Sequence, residues 1–107
     1  MTTFNNREQA FEAKHARDED MAFRVVARRN KLVGQWAAAL IGLSGKEADS
    51  YAKAVVTADF EEVGDDDVVR KLVSDFASAG LAHDEAAVRA ALAEQAIEAR
   101  RQLTDPE

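Results

Sequence analysis

A chain of 107 residues with 50 apolar side chains, 22 of them alanine, has 28 larger apolar groups, which suffices for one modest domain. Five glycines and one proline are too few to punctuate a β-rich chain, and the absence of cysteine excludes a disulfide framework, a thiolate zinc site and a cysteine nucleophile. A net charge of −6 argues against nucleic-acid binding, which needs a positive surface to displace counterions from phosphates.

The first predicted helix is the longest. Helix-compatible residues run without Gly or Pro from about Asn6 to Gly34, and the apolar pattern continues to Ile41. A helix of about 36 residues reaches roughly 54 Å, against about 26 Å for partners of about 17 residues, so one end must overhang or bend. Between Phe11 and Met21 there is no large apolar side chain, which marks residues 1–20 as an arm and residues 21–107 as the bundle domain. Ordering the arm costs roughly 20–40 kcal/mol of backbone entropy, whereas Phe4 and Phe11 return about 1.5–3 kcal/mol each on burial. It is expected to be disordered or partly helical when free, and helical where a partner supplies surface. In a helix Phe4, Arg7, Phe11 and Lys14 share one stripe with Glu8 and His15 beside it, a pattern suited to docking in a groove. A frayed terminus, or an arm folded back on its own bundle, is the plainer alternative.

Residues 21–42 contain Arg24, Arg28, Arg29 and Lys31 and no acid, so this stretch carries +4 and the remainder −10. At 100° per residue Ala22, Val26, Val33, Trp36, Ala37 and Leu40 fall on one side, and Arg24, Arg28, Lys31 and Gln35 on the other. The basic side is either a solvated face or a surface for an acidic partner or a phosphate. Arg29 lies on the apolar side, where it either extends its head to the rim or meets a carboxylate, with Asp59, Glu62 and Asp67 as candidates. Trp36 reads as a core anchor.

A Ser44–Glu47 capping box opens the second helix, roughly residues 45–62, with Ala48, Tyr51, Ala52, Val55 and Val63 inward. Asp65 can cap the third, where Asp66 and Asp67 suit the helix dipole, Val69, Leu72, Val73 and Phe76 face inward, and Gly80 stops it. His83-Asp84 starts the fourth, with Val88, Leu92, Ala96, Ala99 and Leu103 at intervals of three and four, ending before Pro106. Short loops favour antiparallel neighbours, so the expected fold is all-α, a small four-helix bundle with a protruding N-terminal arm continuing into a long first helix.

Residues that could carry chemistry are sparse. Gly42 to Glu47 has the wrong glycine spacing for a phosphate loop, and Glu47 replaces the required Ser or Thr. His15, Asp18 and Glu19 lack a second histidine for a metal site, and the acids from Glu61 to Asp67 lack the alternating ligands of a calcium loop. No nucleophile and base share a motif, so neither enzymatic activity nor a cofactor or metal is expected. The N-terminal residues lack the layout of a secretory leader, and no apolar run is long enough to cross a bilayer, so a cytoplasmic location without membrane insertion is expected.

Several segments carry a family resemblance: Thr3-Phe4, Asn6-Arg7-Glu8, Ala10-Phe11-Glu12-Ala13-Lys14, Ala27-Arg28-Arg29-Asn30-Lys31-Leu32, Gly34, Trp36-Ala37-Ala38 and Ala58-Asp59-Phe60-Glu61-Glu62. They resemble the zeta subunit of alphaproteobacterial F-type ATP synthases, an inhibitor of ATP hydrolysis, as far as about Gly80. The chain departs from that family's pattern at His15, where an aromatic residue is usual, and at Asn5, where an acid is. The resemblance implies a four-helix protein whose N-terminal segment enters an alpha/beta interface of the catalytic head, near the gamma rotor, and blocks rotation in the hydrolytic direction. Carried over by position, Phe4, Asn6, Arg7, Glu8, Phe11, Glu12 and Lys14 are the contact residues. It further implies a protein peripheral to the inner membrane through the synthase, and a monomer is expected when it is free. The alternative is a nucleotide-sensing or adaptor bundle in which Arg24, Arg28 and Lys31 meet the phosphates of ATP or ADP.

Overall fold

The computed structural model describes the backbone of residues 2–59 and 64–104, with side chains from Glu19 onward in those spans. Four helices follow one another: α1 Thr2–Ile41, α2 Gly45–Ala58, α3 Asp66–Ser78 and α4 Glu85–Thr104. No strand occurs among the described residues, and the architecture is the expected all-α bundle.

Local chemistry sets the helix ends. After α1 the Leu43 N–H donates to the Ala38 carbonyl at 2.9 Å and the Gly42 N–H to Ala39 at 3.2 Å. After α3 the Leu81 N–H donates to Phe76 at 2.8 Å and the Gly80 N–H to Ala77 at 3.0 Å. Both turns need a left-handed residue, and Gly42 (φ 99°) and Gly80 (φ 78°) supply it. The stop expected at Gly80 is the observed one. Helix α4 starts after His83-Asp84 as anticipated, and Asp84 caps it, its Oδ1 accepting the Ala87 N–H at 3.0 Å.

Three local expectations are corrected. Helix α2 ends at Ala58 rather than near residue 62. Its last turn contains the β-branched Val55-Val56-Thr57, of low helix propensity, and the Thr57 hydroxyl donates back to the Lys53 carbonyl at 3.0 Å. Ser44 occupies the N-cap of α2 with an extended backbone, but its hydroxyl makes no cap bond, so that half of the capping box is absent. Asp65 stands at the N-cap of α3 and its side chain caps nothing, because Arg29 engages the carboxylate.

Val33, Ala37, Val55, Val68, Val69, Leu72, Phe76, Val88 and Leu92 form the core. Trp36 packs against it, its ring edge-on to Phe76 with centroids 5.5 Å apart, which makes it the anchor its position suggested. Helix α1 packs chiefly against both α2 and α4 and only slightly against α3. Two neighbours bury a wider arc than one amphipathic stripe. Val25, Arg29, Asn30 and Ala38 are therefore buried along with Val33 and Ala37, whereas Val26 and Leu40, projected inward, are 36% and 39% exposed.

The α1–α2 contact is close. A Cβ built on Gly34 would lie 2.7 Å from the Ala52 Cα and 3.3 Å from the Val55 Cβ. Gly34→Ala gains about 1 kcal/mol of helix propensity, but overpacking against backbone that cannot rotate away costs up to about 3 kcal/mol. The expected net loss lowers the melting temperature by roughly 4–8 °C per kcal/mol in a circular-dichroism melt. An equal or higher melting temperature would contradict so near a crossing.

At 1.5 Å per residue the 40 residues of α1 extend about 60 Å, against about 20–30 Å for α2, α3 and α4. The molecule measures 66 × 30 × 21 Å, and the first core side chain among the described residues is Val25. The N-terminal half of α1 thus overhangs the bundle.

Candidate functional site

Phe4, Asn6, Arg7, Glu8, Phe11, Glu12 and Lys14 all belong to α1. Their side chains, with those of His15 and Asp18, lie outside the described residues. The base of that long helix is described, and its organising group is Arg29. The guanidinium forks onto Asp65, with Nη2 to Oδ1 at 2.8 Å and Nη1 to Oδ2 at 3.3 Å. Its Nε and Nη2 also donate to the Oδ1 of Asn30, at 3.1 and 2.9 Å. The Arg29 side chain is 11% exposed and that of Asp65 39%, so the paired, charge-assisted bonds are partly shielded from water.

Asp65 is not among the three acids that the sequence offered Arg29. Asp67, inside α3, pairs with Arg70 at 3.2 Å, and Glu62 lies outside the described residues. Because Asp65 immediately precedes α3, the ion pair ties the base of the arm helix to the start of another helix.

The basic residues of α1 do not converge on one point. Arg24 Nε pairs with Asp20 at 3.0 Å, one turn earlier on the exposed surface. Arg28 Nη1 donates to Gln102 Oε1 at 2.7 Å, joining α1 to the end of α4. Gln102 in turn donates to Glu98 at 2.9 Å, and Arg101 pairs with the same carboxylate. The hydrogen bonds from Arg101 and then Gln102 hold the Glu98 carboxyl down to about 2. Lys31 is exposed on a cleft of about 650 Å³ that Gln35, Asp49, Lys53 and Thr57 also line.

On another side Tyr51 joins α2 to α3 by donating to Asp75 at 2.6 Å, while Lys71 reaches the same carboxylate oxygen at 3.1 Å and stands 5.0 Å from the tyrosine ring centroid. Burial, then the Asp75 hydrogen bond, holds the phenol well above its ordinary range, so it remains a neutral donor. Among the described residues no three metal-ligating groups gather, and no helix is long and apolar enough to cross a membrane. The described surface offers fixed charge and clefts for contact.

Sequence reasoning missed the buried Asn30. One signal was available: an arginine on an apolar face needs several acceptors, and the adjacent amide supplies one. Gln102 carried none, since its role depends on how α4 lies against α1.

The comparisons with known proteins agree with this architecture. A family model described as ATPase inhibitor subunit zeta matches residues 1–102. No curated protein matches the chain. A protein whose structure was determined by NMR in solution is 46% identical and superposes with a TM-score of 0.72, covering 81% of this chain and 99% of its own. Since the family model takes in both the overhanging half of α1 and the bundle, this chain belongs to the ATPase inhibitor subunit zeta family.

Proposed function

We propose that this protein is a non-catalytic inhibitor of the F-type ATP synthase, acting through residues 1–20. The observation that carries this is the overhang of α1: its N-terminal half extends past every helix that could cover it. In this mechanism the arm enters an alpha/beta interface near the gamma rotor as a helix, with Phe4 and Phe11 as apolar anchors and Asn6, Arg7, Glu8, Glu12 and Lys14 as polar contacts. The bundle remains outside as a stop. Hydrolysis requires that interface to open and close, and a helix held within it blocks the cycle without covalent chemistry. The inhibitor is then peripheral to the inner membrane, on its cytoplasmic side, through its partner. Membership of an ATPase inhibitor family supports the inhibitory role.

The deciding experiment is retention of the full chain on purified ATP synthase catalytic head, together with the head's hydrolysis rate. The wild-type chain should be retained and should slow hydrolysis, whereas Phe11→Ala should weaken both by at least about tenfold, since an ordering helix concentrates its affinity in few anchors. Absence of retention would refute the proposal. A second function, weak ATP or ADP sensing, is favoured by one observation, the position of Lys31 and Lys53 on a common cleft. Titrating the isolated chain with millimolar ATP or ADP tests it, because a sensor shows shifted amide signals around Lys31 and Lys53 and a plain inhibitor shows none.

A further inference from the structure

At the foot of the arm a cleft of about 320 Å³ is lined by Ala22, Phe23, Val26, Ala27, Asn30 and Asp59. Most of its wall is apolar, yet two of the lining residues each carry a buried polar atom with no hydrogen-bond partner: the Nδ2 of Asn30, a residue 1% exposed, and the Oδ1 of Asp59. The orientation of the amide is dictated. Asn30 Oδ1 accepts from both Nε and Nη2 of Arg29, and Asp65 fixes that guanidinium, so a flipped amide would set donor against donor. The ion pair thereby holds an unsatisfied donor on one lining residue while another carries an unsatisfied acceptor. Buried polar groups in that condition are destabilising until something pairs with them.

A group that both donates and accepts, carried on an apolar body, matches this cleft: an amide. A phosphate or carboxylate does not, because the Asp59 carboxylate would repel it. We propose that the cleft is a second docking point for the partner that receives the arm, taking a main-chain or side-chain amide from an apolar segment of the ATP synthase head. This rests on the inhibitor function proposed above. The occupant follows from continuity, because Ala22 stands three helical turns beyond Phe11 in one unbroken helix, so a partner lying along the arm meets the cleft next. The rim, with Phe23 56% and Val26 36% exposed, presents apolar surface to it.

The test uses full-length chains and purified catalytic head. Asn30→Asp keeps an oxygen toward Arg29 and turns the donor into an acceptor, and Val26→Asp places a charge on the rim at a partly exposed position. Both should bind about tenfold more weakly with unchanged circular dichroism, and a photo-crosslinking residue at position 26 should attach to a head subunit. Should Asn30→Asp fail to fold, Val26→Asp and the crosslink decide the matter. If the wild-type chain is retained while the folded variants match it, or the crosslink forms only within the inhibitor, the second docking point is refuted and the inhibitor function stands. If the wild-type chain is not retained at all, the inhibitor function fails and this inference with it.

Discussion

Removal of residues 1–14 is expected to abolish inhibition of ATP hydrolysis while leaving a bundle that still unfolds cooperatively. Among the described residues every core side chain, from Val25 to Ala99, lies beyond the deletion, as do the Arg29–Asp65 and Arg28–Gln102 ties. The deleted stretch holds both arm phenylalanines. Anchors of an ordering helix contribute about 2–4 kcal/mol each, so losing two takes a nanomolar inhibitor, bound by about 12 kcal/mol, to the micromolar range or beyond. The cleft at Asn30 survives the deletion, and weak retention without inhibition is the expected residue of binding. Hydrolysis assays of the head and a thermal melt of the truncated chain supply the two readouts. Full inhibition by the truncated protein would move the activity to the bundle. A broad, non-cooperative melt would show that the arm belongs to the fold.

What the sequence revealed and what it hid divide along the range of the interactions. Gly80 as a stop and His83-Asp84 as a helix start were legible because each acts on backbone within a few residues. The long first helix was legible because the run without Gly or Pro from about Asn6 to Gly34 concerns only local composition. Asp65 looked equally local, yet Arg29, far away in the chain, competes for its carboxylate and removes the cap. The same limit explains Val25 and Asn30. A projection at 100° per residue assumes one buried face, and α1 meets two helices, so the true arc reaches residues that a single stripe assigns elsewhere. The contact residues proposed for the arm came from family resemblance, because composition can mark a segment as uncovered without specifying what covers it.

Phe76→Ala is expected to be the most destabilising single substitution in the core. The ring is fully buried and lies between Trp36, edge-on at 5.5 Å, and His83, edge-on at 5.0 Å. Those contacts join α1, α3 and the residue that precedes the α4 cap, so the cavity left behind opens where three elements meet. Large-to-small changes of this kind cost about 3–5 kcal/mol, against a total of about 5–15 kcal/mol for a domain of this size. The melting temperature should fall by roughly 12–40 °C, at about 4–8 °C for each kcal/mol. Trp36 is the sole tryptophan and reports the change directly: its emission should shift to the red as its ring neighbour is lost. Ile97→Ala, at a side chain 75% exposed, is the control and should move stability by no more than about 0.5 kcal/mol. Equal melting temperatures for the two variants would overturn the core described here. Below its own melting temperature Phe76→Ala should still inhibit hydrolysis, because the ring supports the stop and not the arm. Loss of inhibition by the folded variant would instead mean that the packing of the bundle, and not merely its presence, governs how the arm engages its partner.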